Sequence, residues 1–157
     1  MKFEERFLRM AIRDAAGQAG RGVGGPFAAV VVKDGEVIGS GVNRVLEKND
    51  PTAHAEIEAI RDACGRLGHY QLEGCYLYSS CEPCPMCLGA IYWARPEAVF
   101  YAAGREDAAS AGFDDSFIYR QISMPGTLRA IPAYRHLAEE GKEPFIRWLE
   151  TPGSCLY

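Results

Sequence analysis

A chain of 157 residues, 48% of them hydrophobic, suits one domain around a single core, and no apolar run in it approaches a membrane span. Its net charge of −4, with no block of lysine or arginine, argues against a nucleic-acid binder and favours a small-molecule substrate. Six cysteines without framework spacing, and an N-terminus lacking a hydrophobic signal stretch, predict reduced thiols and a cytoplasmic location.

Phe7, Leu8, Ala11, Ile12 and Ala15 recur at helical spacing and predict an opening amphipathic helix. Gly17, Gly20, Gly22, Gly24 and Gly25 follow. No Gly-Lys-Ser/Thr comes after them and a β-branched run does, so the stretch 17–25 reads as a loop, not a phosphate cradle. The run over 27–33 predicts a strand, Asp34-Gly35 a hairpin turn, and 36–42 the returning strand. The polar stretch 43–49 predicts a loop. Asp50 can cap a helix with Pro51 at its first position. Ala53, Ile57, Ile60, Cys64 and Leu67 then share one face, and Gly68 ends the helix. Residues 75–80 predict a third strand. A helix carrying Cys84 and Cys87 follows and ends before Pro96. A fourth strand occupies 98–102. Beyond the acidic pair Asp114-Asp115 come an apolar segment over 117–122, a fifth strand over 128–133, a short helix over 144–150 and an irregular end. Strands alternating with helices after a hairpin predict an α/β fold with a mixed sheet, the two metal-motif helices on one face with their N-termini converging.

Two short motifs carry the chemistry. Thr52-Ala53-His54-Ala55-Glu56 and Pro83-Cys84-Pro85-Met86-Cys87 together spell His-x-Glu … Pro-Cys-x-x-Cys, a pattern known from zinc-dependent base deaminases. A catalytic zinc takes three protein ligands and keeps a fourth position for water. Two cysteines three apart at a helix start present their thiolates on one face, where free N–H groups and the helix dipole favour negative charge. His54 supplies the third ligand from a different helix. Glu56 is then free to move a proton between water and substrate. Cys81 and Cys84 form an overlapping Cys-x-x-Cys. The proline before the first ligand is Pro83, which selects Cys84 and Cys87 and leaves Cys81 as a small buried neighbour. A lone Cys-x-x-Cys is more simply a redox pair or a structural knuckle. A redox pair needs no His-x-Glu, however, and a knuckle needs a second Cys/His pair. His69 and His136 lack such a context and read as ordinary satisfied histidines.

Residues 51–56 and 83–91 resemble the cytidine deaminase-like superfamily, and tRNA adenosine deaminases share much of them. Ile91-Tyr92-Trp93-Ala94-Arg95-Pro96, Ala111-Gly112-Phe113-Asp114-Asp115-Ser116-Phe117-Ile118-Tyr119, Gly25-Pro26-Phe27 and the terminal Tyr157 resemble the bacterial guanine deaminases, with the weakest stretch between Ser123 and Ser154. The resemblance implies hydrolysis of the purine base guanine to xanthine and ammonia, with one zinc per chain. It implies a single domain over 1–157, a three-layer α/β/α sandwich on a five-stranded mixed sheet, and a homodimer that exchanges its C-terminal segment, 130–157. It places His54, Cys84 and Cys87 on zinc, Glu56 and Asp114 in catalysis, and Phe27, Asn43, Trp93, Asp114 and Tyr157 at the substrate. Without the resemblance, Asn43 reads as a turn residue, Phe27 and Trp93 as core aromatics, Asp114 and Asp115 as a solvated loop, and Tyr157 as a frayed end. Three other functions stand beside it. One is deamination of guanosine, cytosine or ammeline. Another is a tRNA adenosine deaminase, which wants a basic surface. The third is a non-catalytic zinc module, which has no need of Glu56.

Overall fold

Residues 3–156 are described in a computed structural model of the chain. It divides into one unit that ends at Asp115 and another that begins at Ser116. The first unit is built on the Asp34-Gly35 hairpin. Both turn residues have positive φ, 51° and 80°, as a tight two-residue turn requires. The turn joins β1 (Ala28–Lys33) to β2 (Glu36–Val42). Preceding the hairpin is α1 (Glu5–Arg21). After it come α2 (Val45–Lys48), α3 (Ala55–Leu67), β3 (Cys75–Cys81), α4 (Pro85–Ala94), β4 (Ala98–Ala103) and α5 (Arg105–Ser110). Four strands form one sheet in the order β2-β1-β3-β4, with β3 and β4 parallel and the other pairs antiparallel.

Strand alternation sends successive side chains to opposite faces, and each face buries a different helix layer. Val30, Val32 and Tyr78 pack with Phe7 of α1. Ala29, Val31 and Leu77 pack with Ala55, Ala59 and Ala63 of α3 and with Ile91 and Ala94 of α4. Helices therefore cover both faces of a mixed sheet; the mixed sheet follows the element order, and the three layers are those the resemblance implies. The α3 contact is close because β2 carries glycines there. A Cβ on Gly41 would lie 2.3 Å from the Ala55 carbonyl oxygen, and one on Gly39 would lie 2.6 Å from that of Ala59. The buried face of α3 is thus a stripe of small residues, while Ile60, Cys64 and Leu67 pack only partly buried at its side.

Several boundaries differ from the sequence reading. Gly17 and Gly20 belong to α1, and the loop begins only at Gly22, which has φ 65°. The buried Gln18 holds this last turn by donating to the Asn43 carbonyl at 3.0 Å. The polar stretch after Asn43 contains the short helix α2. Asp50 does not cap a helix. Its Oδ1 accepts from the Thr52 N–H and hydroxyl in a local turn, and α3 starts later with His54 as its N-cap. The ends were better marked: Gly68 terminates α3 with φ 64°, and α4 stops at Ala94, before Pro96.

The second unit contains α6 (Ser116–Ile122), over the segment read as merely apolar, and α7 (Glu143–Glu150). The expected fifth strand over 128–133 is absent from the described residues. A 3₁₀ turn spans Gly126–Leu128. The Ala130 N–H is taken by Gln121 Oε1 at 2.6 Å and the Ala133 N–H by the Gly126 carbonyl at 3.0 Å. Pro132 has no N–H for a ladder. The described sheet therefore has four strands. None of the second unit's described residues is buried.

Candidate active site

His54 and Cys84 occupy equivalent places: each is the N-cap of a helix on the same face of the sheet. Both backbones are extended there (φ −73°, ψ 160° and φ −64°, ψ 167°), and neither side chain turns back to cap its helix. The N-cap carbonyls still accept the first helical bonds, from Glu58 at 3.0 Å and Leu88 at 2.8 Å. Pro85 suits the first position of α4 because no N–H is needed there. The imidazole and the thiol are thereby left to meet one another. Cys87 joins them from the first turn of α4.

His54 Nδ1 lies 3.5 Å from Cys84 Sγ and 3.6 Å from Cys87 Sγ. Bond lengths of about 2.3 Å to sulfur and about 2.0 Å to nitrogen at tetrahedral angles place such atoms roughly 3.5 Å apart. The donor set and its spacing therefore fit a zinc ion, and His54, Cys84 and Cys87 form a group able to hold one. Cys81 is outside this group. It is buried, its Sγ faces the Gly104 carbonyl at 3.7 Å, and burial pushes its thiol up to about 11. Donation from Cys87, and then from His54, lowers Cys84 to about 4, while Cys87 is pushed up. The hydrogen bond with Cys84 raises His54.

Glu56 follows in the first turn of α3 and is only 5% exposed. Burial raises its carboxyl above the usual carboxylate range, against opposing hydrogen bonds from its own N–H, Ser79 and Cys87. Ser79 Oγ donates to Glu56 Oε1 at 2.9 Å. Sequence reasoning missed Ser79. The available signal was a pair of serines, Ser79 and Ser80, in a strand whose neighbours are apolar.

The residues expected at a substrate are not all brought together. Asn43 and Phe27 are adjacent at the ends of β1 and β2, where the Asn43 N–H donates to the Phe27 carbonyl at 3.0 Å. Asn43 is buried, and its Oδ1 accepts from the N–H groups of Gly25 (3.3 Å) and Val45 (3.4 Å). With Oδ1 so engaged, the amide NH₂ is the end that would be open to a ligand. The Phe27 ring stands edge-on to Phe113 at 5.0 Å. Gly25 is required beside it, since a Cβ there would lie 2.9 Å from the ring. In the acidic pair, Asp114 is exposed and Asp115 half-buried. Burial, then the negative charge of Cys84, raises the Asp115 carboxyl. Trp93 is not brought to the metal group. It lies near the C-terminal end of α4, 63% exposed, nine residues and about 13 Å of helix from Cys84. Tyr157 lies outside the described residues.

A family profile for the cytidine and deoxycytidylate deaminase zinc-binding region matches residues 1–103. The chain is 60% identical to a guanine deaminase of Bacillus subtilis over 144 residues, 92% of each chain. Its structure resembles an X-ray structure of guanine deaminase from Bacillus subtilis with a TM-score of 0.96, at 56% identity and 99% coverage of both chains. A tRNA-specific adenosine deaminase of Agrobacterium fabrum is 39% identical over 141 residues, 90% of each chain.

Proposed function

The chain belongs to the cytidine and deoxycytidylate deaminase zinc-binding family, and we propose that within it the chain is a guanine deaminase, converting guanine to xanthine and ammonia. The chemistry rests on one observation: a buried carboxyl, Glu56, beside three atoms spaced to ligate zinc. The choice of guanine rests on the 60% identity to a guanine deaminase, against 39% to a tRNA-specific adenosine deaminase at similar coverage.

His54, Cys84 and Cys87 would hold one zinc per chain, which supplies a water activated at neutral pH. Glu56 takes a proton from the attacking water and delivers it to N3 of the base, then takes the second proton from the oxygen now on C2 and passes it to the departing amine, which leaves as ammonia as the C2 carbonyl forms. Phe27 flanks the base and Asn43 donates to an acceptor on its edge. For the second carboxylate, the resemblance implies Asp114, but burial favours its neighbour, since Asp115 is half-buried where Asp114 is exposed.

The domain is proposed as one deaminase domain over 1–157, in a homodimer that exchanges 130–157 between subunits and brings Tyr157 and Trp93 to closed sites. Support comes from α7, whose Phe145, Ile146, Trp148 and Leu149 are all exposed in the single chain. An eight-residue helix has little stability without burying such a face. The proposed location is the cytoplasm, supported by six free cysteines. No helix of the described residues is long and apolar enough to cross a membrane.

The deciding assay is ammonia release by zinc-loaded protein from guanine, guanosine, adenine, cytosine and ammeline side by side. Guanine is expected to be turned over fastest. Preference for any other compound overturns the assignment of substrate while leaving the deaminase chemistry in place.

A further inference from the structure

We propose that Ser79 is a positioning residue for the proton-transfer step: its hydroxyl holds one oxygen of Glu56 so that the other faces the reacting atoms. The inference rests on the role given to Glu56 above.

Ser79 lies on β3, paired to Ala29 on one side and Tyr101 on the other. It shares the sheet face of Leu77, which packs under α3 and α4. The residue is 0% exposed, so its hydroxyl has no access to bulk water. A buried hydroxyl without a partner is costly, and this one has two. It donates to Glu56 Oε1 at 2.9 Å and accepts from the Cys81 N–H at 3.5 Å. The second contact constrains the donor: with the Cys81 N–H on the oxygen lone pair, the hydroxyl hydrogen is directed to the carboxylate.

The consequence for Glu56 is geometric. A carboxylate on a two-carbon stem can rotate about its terminal bond, and a proton shuttle works only if one oxygen stays within hydrogen-bond reach of each atom it serves. Burial of Glu56 restricts that rotation but does not choose an orientation. The charge-assisted bond from Ser79 does, because turning Oε1 away leaves the hydroxyl unsatisfied. The sheet thereby serves as the fixed support for a group carried by α3.

The test compares Ser79→Ala with wild type. Loss of one hydrogen bond to a charged group is expected to lower kcat for guanine roughly ten-fold or more, with KM changed less than about two-fold and zinc content unchanged. In a Glu56→Gln background the same substitution is expected to cause no further loss, as for residues acting through one another. A crystal structure of the Ser79→Ala protein is expected to show the Glu56 carboxylate rotated. If alanine prevents folding, the isosteric pair Ser79→Thr and Ser79→Val decides: threonine keeps the hydroxyl and should stay near wild type, and valine should not. Wild-type kcat in Ser79→Ala, an equal loss with and without Glu56, or equal behaviour of threonine and valine overturns the proposal. A wild-type protein inactive on guanine sinks the substrate reading alone. The comparison is then made on whichever base it does deaminate, and the crystallographic result stands regardless.

Discussion

Each ligand of the candidate metal group has a distinct local cause. His54 and Cys84 arrive by being N-caps with their side chains turned outward, and Cys87 by helical spacing from Cys84. Removing a ligand is therefore unlike removing its neighbour. Cys84→Ala is expected to abolish zinc retention and activity, whereas Cys81→Ser should keep the metal, as measured by zinc analysis after dialysis. Glu56→Gln preserves shape and removes the acid–base group, so turnover should fall by roughly 10²–10⁴-fold with zinc retained. For the acidic pair, the expectation follows burial. Asp115→Asn should lose more guanine turnover than Asp114→Asn at equal zinc occupancy, and the reverse ranking would return the role to Asp114. Burial and the charge of Cys84 both act to raise the carboxyls of Glu56 and Asp115.

The element on which the site depends most is α3, since it carries both His54 and Glu56. Its position follows from the glycines of β2 beneath it. Gly41→Ala would drive a methyl group against the Ala55 carbonyl, one residue from His54. Backbone cannot swing aside as a flexible side chain can, so overpacking should cost about 1–3 kcal/mol. Zinc affinity should fall as well, because the first turn of α3 moves with the helix. A melting curve and a zinc titration measure the two effects. The helix is tied to α2 by Lys48 Nζ–Glu58 Oε2 at 2.6 Å. Burial would raise the Glu58 carboxyl, but hydrogen bonds and charge from Lys48 and Arg61 outweigh it and leave it below its ordinary 4.5. A lowered folded value means that this pair stabilises fully above that pH and ceases to do so as pH falls through the folded value. Glu58→Gln should remove only about 0.5–1 kcal/mol at neutral pH, given the exposed lysine, and should flatten the acid limb of stability against pH.

For the whole molecule, the contrast between the two units is the main fact. The first unit buries apolar residues on both faces of its sheet, while the second exposes Ile131, Phe145 and Leu149 and buries none of its described residues. If 130–157 exchanges between subunits, a chain lacking Leu156 and Tyr157 should fold and bind zinc yet turn guanine over poorly. Mixing it with the Glu56→Gln chain should restore part of the activity, since each mixed dimer pairs one intact Glu56 with its partner's intact tail. Verified mixed dimers without rescue would place the tail over its own subunit's site, and a truncated chain with wild-type kinetics would remove the tail from the site altogether.

The local signals in the amino-acid sequence were enough to pick out the three residues that the structure brings together, His54, Cys84 and Cys87, the hairpin at Asp34-Gly35 and the C-terminal ends of α3 and α4. Each depends on residue chemistry at fixed short spacing: a thiolate pair, positive φ at a turn, a glycine or proline at a helix end. The α/β class followed from the same alternation of periods. What tertiary structure decided is everything carried by contacts between distant segments. Gln18 carried α1 past glycines that locally favour a loop, by bonding Asn43. The glycines of β2 selected an alanine stripe in place of the larger residues as the buried face of α3. Pro132 and the Gln121 side chain kept 128–133 out of the described sheet. Ser79 met Glu56 across 23 positions of chain. Local preferences amount to at most about 1 kcal/mol per ordinary residue, so a single buried packing contact or hydrogen bond outweighs them, and such contacts leave no local pattern to read.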